Sequence, residues 1–352
     1  MKKLLKNQIF IPIAALILLT VFNLIVGPEF FEIQFVHNSD GNLIAKGYPV
    51  SILDFGSELA ILALGMTLVT SACGGQDISV GATIAIGGSV MLRILCGGGD
   101  SSDLGIGILI VAFLVACVVT MACGAFNGML VAYFKIQPMV ATLILYTAGR
   151  SIAAWVNNNE LPIVEDKSFA VYGGFIPGIP IPTPVFIMGI CILIMALALK
   201  FTNLGLYTQA VGINESSSRL NGLNPKFIKF ITFVILGVCV AVASLIKTSR
   251  LCTINYSVIA KDIEMDAILA VALGGNVLSG GKFNIWASVL GAYVLQYLTQ
   301  TLYRMKVDAA ALPAYKAIVV ILLVVSSAPT VRKWFSTMWK KLTSKKAVKE
   351  VG

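Results

Sequence analysis

Few residues in this chain could do covalent chemistry, and those few do not converge. His37 is the only histidine, so imidazole acid–base catalysis and His-ligated metals have almost no material. The seven cysteines form no CxxC pair, and most lie in apolar runs. There a free thiol behaves as a small hydrophobe. They predict neither a disulfide framework nor a metal site. What remains is Asp77, set in Gly74-Gly75-Gln76-Asp77-Ile78-Ser79-Val80-Gly81. A carboxylate inside or beside an apolar segment is costly and is normally functional or paired. Two readings stand. Asp77 or Ser79 caps the following helix by accepting amide hydrogen bonds, or Asp77 meets a polar solute directly.

The glycine run recurs. Residues 274–281 read Gly-Gly-Asn-Val-Leu-Ser-Gly-Gly, 200 positions after the first copy. Each copy interrupts an apolar stretch. Paired, glycine-interrupted segments point to a transport pathway, because irregular backbone at membrane depth survives only when buried or lining a cavity. The alternative is that glycine merely permits close helix packing. Gly74, Gly75, Gln76, Asp77 and Ser79, with Gly274, Gly275, Asn276 and Ser279, are the pathway candidates. Val277 stands where Asp77 does, which favours shared geometry over shared chemistry. Both copies have the same expected orientation, a parallel repeat. Arg150 joins the candidates: it either faces the bundle interior or snorkels to an interface. Residues 275–283 resemble a phosphate loop only superficially. Asn276 stands where glycine is required and Phe283 follows Lys282, so any ATPase is another chain.

The elements that carry these residues follow from composition. Of 352 residues, 57% are hydrophobic and 12% charged; soluble domains carry about 25% charged residues. That excludes a soluble fold, and the high apolar content excludes intrinsic disorder. At about 20 residues per span, the predicted fold is an all-α polytopic membrane protein. It has about ten transmembrane helices, some short or broken, in one membrane domain over 1–352. The apolar runs are 9–27, 58–72, 78–95, 104–134, 139–156, 183–201, 228–246, 265–280, 283–303 and 314–331. Run 104–134 is too long for one straight span, so a bend or break is expected near Gly124 and Asn127-Gly128. The first run ends Ile25-Val26-Gly27-Pro28, without a small-residue cleavage site, and reads as a span.

The net charge of +9 is concentrated at the termini. Lys2, Lys3 and Lys6 precede the first run, and a basic tail over 332–352 follows the last. By the positive-inside rule both ends lie in the cytoplasm, as an even span count requires. The same rule places 28–56, 96–103 and 157–182 outside, and 135–138 and 202–227 inside. A nucleic-acid-binding role for the basic tail is the weaker reading.

The inside stretch 211–225 is punctuated like a short surface helix. Asn214 suits its N-cap, Glu215 its first turn, Arg219 its last turn and Gly222 the position after it, with Pro225 beyond. Such a helix either docks a soluble partner or is a plain connector.

With these motifs in view, the chain resembles the permease subunits of bacterial ABC importers for simple sugars, of the ribose, xylose and galactose type. The matching stretches are Leu64 to Val69, Gly74 to Gly81, Ala210 to Leu223 and Ala270 to Lys282. The resemblance implies that Gly212 to Gly222, with Leu220, is the coupling helix that meets the ATPase. Ser216 and Ser217 stand where the family usually has alanines. Asp40 to Leu43 followed by Gly47 to Leu53 resembles the galactofuranose-type members. The implied partners are an ATPase subunit, a second permease chain (identical or different), a periplasmic sugar-binding protein, a monosaccharide and the bilayer of the inner membrane. This chain would bind no cofactor; ATP and magnesium would sit on the ATPase. The mechanism implied is alternating access. The rivals are an importer for another small polar solute, such as a nucleoside, a furanone signal or an amino acid, an ion-coupled secondary transporter, and a membrane-embedded enzyme. Ion coupling predicts a relay of intramembrane carboxylates, for which Asp77 and Asp266 are the sequence candidates.

Overall fold

The computed structural model describes residues 9–37, 43–97, 101, 104–308 and 310–327. The three N-terminal lysines, the basic tail, Asp40 to Asn42 and most of the 98–103 loop lie outside the described residues. The chain is an all-α polytopic membrane protein. Ten helices take up the ten apolar runs: α1 (Phe10–Val26), α2 (Tyr48–Cys73), α3 (Val80–Cys96), α4 (Ile106–Ala132), α5 (Pro138–Val156), α7 (Thr183–Phe201), α10 (Pro225–Leu251), α11 (Ile263–Leu273), α12 (Ile285–Arg304) and α13 (Leu312–Ser327). Three short helices lie between them: α6 (Lys167–Ala170), α8 (Leu204–Ile213) and α9 (Glu215–Leu220). Among the described residues, five helices, α2, α4, α5, α7 and α10, are long and apolar enough to cross a membrane, and α1 and α3 are shorter apolar helices.

The loops sort into two ends. At one end Ile163 pairs with Thr253, the Leu104 amide donates to Asp166 (2.8 Å), and Tyr256 Oη donates to the Asn159 carbonyl (2.9 Å). At the other, Gly75 lies against Pro138, and Gly74 against Ser279. This alternation is what successive crossings produce. The non-α9 end carries a hairpin that hydropathy did not reveal, β1 (Gln34–His37) on antiparallel β2 (Leu43–Lys46). At the α9 end the chain turns through α8 and α9.

Two sequence expectations are corrected. The second span starts at Tyr48 rather than residue 58. Asp54 and Glu58 masked its first turns, and both are paired within the bundle (below). Run 104–134 is not broken, since α4 is continuous from Ile106 to Ala132. Its Gly124 and Gly128 abut the Phe233 and Phe230 carbonyls of α10, and Gly237 of α10 abuts the Thr120 carbonyl. Where water gives no drive, small residues let two backbones approach and gain dispersion contacts. These glycines build the most extensive helix contact of the described structure.

At the centre stands α2, nearly all of whose apolar window is buried, against α10, α11, α12 and α7. The outer helices α4 and α7 leave most of their apolar surface uncovered, as membrane-facing helices do. The α2 that carries the first glycine run is therefore held from every side, and its C-terminal end presents that run to the rest of the α9 end.

Candidate functional site

The two glycine runs meet. α2 ends at Gly74, whose φ of +62° is the left-handed conformation that only glycine adopts without cost. A side chain there would strike the Ser279 carbonyl of the second run. Gln76 Nε2 donates to the Leu278 carbonyl (3.2 Å), so the polar group expected near a pathway bridges the two copies. The Gly281 amide donates to the Ser71 carbonyl (2.9 Å), and Ser71 Oγ returns a bond to the Gly281 carbonyl. Gly212, at the end of α8, closes the cluster. Any Cβ at 212 would overlap the Ser71 carbonyl and crowd the Gly281 amide. The end of α8 thus lies backbone to backbone against the last turn of α2 and the end of the second glycine run.

The two copies differ in detail. Asp77 is buried, and its Oδ1 accepts from the Ser79 amide (2.7 Å) and hydroxyl (2.6 Å). Asn127 Nδ2 donates to Asp77 Oδ2 (3.2 Å) and Ser79 Oγ (2.9 Å). The Ile78 amide donates to Thr142 Oγ1 (3.1 Å). Asp77 therefore forms an Asx-type turn before α3 and ties α3 to α4. Ser79 occupies the N-cap but makes no side-chain cap bond. In the second copy Val277 is half exposed, and the buried polar residue is Asn276. Its Nδ2 donates to Ser288 Oγ (2.7 Å) and its Oδ1 accepts from the Asn284 amide (2.7 Å). Ser288 in turn accepts from Thr67 of α2 (2.6 Å). Gly274 lies against the Ala287 carbonyl, and Gly275 turns the chain at φ +74°.

Around α9 the local signals act as they read. Asn214 Oδ1 accepts from the Ser217 amide (2.9 Å), and Gly222 sits just past the helix at φ +81°. The stretch is more than one helix, because α8 precedes α9 with a sharp bend at Asn214. Glu215 pairs with Lys229 at the foot of α10 (2.7 Å). Arg219 is exposed and Leu220 is 89% exposed, an apolar side chain offered outward from a rigid turn.

Arg150 holds the stretch that abuts Gly81, the last glycine of the first run, at Ala260 and Glu264. Its Nη1 donates to the carbonyls of Tyr256 (2.9 Å) and Ile259 (3.0 Å), so the guanidinium pins the stretch between α10 and α11. Sequence reasoning missed a charge cluster altogether. Arg250 donates from Nη1 to Glu58 (3.0 Å) and from Nη2 to Asp54 (2.9 Å), and lies over the Phe55 ring at 4.4 Å. Lys247 takes the other Glu58 oxygen (3.1 Å). The available signal was spacing: acids four apart on α2 and bases three apart on α10, each pair on one helix face. Asp77 and Asp266 are therefore not the sole acids of the helical region. Glu58 and Glu264 are buried as well, while Asp266 is paired with Lys316 of α13 (2.7 Å).

The family model described as branched-chain amino acid transport system, permease component, matches residues 48–327. The chain belongs to this permease family. Among its relatives, the fructose import permease protein of Bifidobacterium longum is 33% identical, over 99% of this chain and 96% of its own length. The galactofuranose transporter permease protein of Escherichia coli is 36% identical, over 81% and 79%. The ribose import permease protein of Escherichia coli is 33% identical, over 89% and 91%. No solved structure matches the chain. As a permease, the chain is a transport component and not an enzyme.

Proposed function

We propose that this permease moves a monosaccharide inward across the bacterial inner membrane, as one transmembrane subunit of an ABC importer. Family membership over 48–327 carries the reading, and the relatives named for fructose, galactofuranose and ribose support a sugar as cargo. Galactofuranose is the proposed first candidate. The Gly47 to Leu53 stretch at the head of α2 resembles that type. The partners proposed are an ATPase subunit that carries ATP and magnesium, a periplasmic binding protein and a second permease chain. The whole chain forms one membrane domain with both termini in the cytoplasm.

In this reading α9 is the coupling helix. Gly212 lets α8 press directly on Ser71 and Gly281, so a push on α9 reaches the last turn of α2 and the second glycine run through backbone rather than through flexible side chains. ATP binding and hydrolysis bias two permease states by their different contacts with α9. The glycine junction is the part that shifts beside the pathway, and Asp77 is a strut within it.

The test of cargo is uptake into proteoliposomes holding this chain, the ATPase and the binding protein. Labelled galactofuranose, fructose, ribose, a nucleoside and an amino acid are compared. Uptake of a sugar, competed by the other sugars, is expected. Uptake confined to the nucleoside or amino acid would overturn the assignment of a sugar.

A further inference from the structure

Beside α9 lies a cleft of about 450 Å³. The turn between α4 and α5 gives it Lys135 and Gln137, α9 gives Glu215 and Arg219, α10 gives Lys229, and Cys73 at the end of α2 lies at its inner wall. Three cations face one carboxylate. Lys229 takes that carboxylate at 2.7 Å. Lys135 and Arg219 are exposed and, among the described residues, make no ion pair. Two of the cations that line the cleft, Lys135 and Arg219, therefore have no counter-charge among the described residues.

The backbone at Lys135 is a second, independent observation. It closes α4: the Phe134 amide donates to the Met129 carbonyl (3.4 Å) and the Ile136 amide to the Leu130 carbonyl (3.1 Å). Lys135 itself stands at φ +57°. That position after a helix end ordinarily belongs to glycine, and a lysine is strained there. Its side chain is exposed, so no packing compensates. Glycine would suit this backbone better, so the lysine is kept at a small conformational cost.

We propose that this cleft receives acidic side chains of the ATPase subunit, as a second docking point beside α9. The proposal rests on the reading of α9 as the coupling helix. One wall of the cleft is α9 itself, so a protein seated on Leu220 and Arg219 must also cover the cleft mouth. Its charge then selects a partner surface rich in Asp and Glu. Two contacts on different elements, α9 and the α4–α5 turn, would transmit a push as a lever rather than at a point.

The experiment measures binding of the ATPase subunit to the full-length permease in proteoliposomes. The variants are Lys135→Gly, Lys135→Glu and Arg219→Gln, with Leu220→Asp as the probe of α9 docking itself. Lys135→Gly should weaken binding about fivefold and Lys135→Glu more, with both losses shrinking at high salt. The Lys135→Gly permease should melt at the same temperature as the parent or higher, because glycine suits the left-handed backbone. Unchanged binding in both Lys135 variants, with binding still lost in Leu220→Asp, overturns the cleft proposal and leaves the coupling reading intact. Unchanged binding in all four overturns both. Unchanged ATPase binding with uptake that responds to Lys135 only in phosphatidylglycerol vesicles would make the cleft a lipid-phosphate site and overturn the proposal.

Discussion

The two ends of α2 are held by opposite chemistry. Towards its start, Asp54 and Glu58 are gripped by Arg250 and Lys247 of α10. At its finish, Ser71 and Gly74 meet Gly281, Ser279 and Gly212 with hardly a side chain between them. The charged end is specific through its partners: one group removed leaves its neighbours unpaired. The glycine end is specific through shape: one group added has nowhere to go. The difference teaches which end suits which task. A backbone contact passes displacement stiffly, which suits a junction under α9. A charge cluster has a few discrete pairings, which suits a latch that holds two helices in register.

The comparison breaks first at Gly212. Gly212→Val drives a side chain into two backbone groups that cannot rotate away. A loss of about 3 kcal/mol or more is expected, read as thermal melting of the detergent-solubilised permease together with loss of uptake. A parent-like melt would mean that the junction is looser than its contacts indicate.

Next is Glu58. Glu58→Ala leaves Arg250 and Lys247 short of a partner in a buried setting, at a cost of about 3–5 kcal/mol. Replacing Glu58 and Arg250 together by methionine should cost much less than the sum of the single changes. Additive losses in that double-mutant cycle would show that the cluster does not act as a unit.

Asp77 sharpens the glycine end. Asp77→Asn keeps the shape and weakens the bonds from Ser79. A stability loss of about 1–2 kcal/mol is expected, with the sugar concentration for half-maximal uptake unchanged. A shifted half-maximal concentration at parent stability would make Asp77 a substrate contact rather than a strut.

The smallest effect is at the end away from α9. Burial pushes the Asp166 carboxyl up, but the Ser168 hydroxyl and the amides of Ser168 and Leu104 more than offset it. They hold the group below the usual carboxylate range. A carboxyl lowered on folding adds stability that is complete above its unfolded value, about 3.9. That share is lost as pH falls through the lowered one. Asp166→Asn should therefore lower the melting temperature slightly at pH 7 and flatten its fall below about pH 4, so that variant and parent converge in acid. An unaltered acid profile would remove Asp166 from the account.

Much of this molecule was readable from local pattern. The apolar runs gave the order of the long helices, and Asn214, Glu215 and Gly222 marked α9 because capping depends on residues a few positions apart. The duplicated glycine run was visible as letters. Its meaning was not, since the contact between Gly74 and Ser279 joins positions some 200 apart. The charge cluster was hidden for the same reason and for a second one. Asp54 read as part of the outer loop 28–56 until Arg250 is placed opposite it, and that misreading moved the start of α2 from Tyr48 to residue 58. At Gly124 and Gly128 the sequence read as a bend or break, because nothing local shows that α10 crosses closely there.

The central claim is that an external motor acts through α9. The most direct test measures labelled-sugar uptake by proteoliposomes containing the permease, its ATPase and the binding protein, with and without ATP and with and without an imposed ion gradient. The account predicts uptake that requires ATP and the ATPase and ignores the gradient. Uptake driven by the gradient in vesicles that lack the ATPase would contradict it.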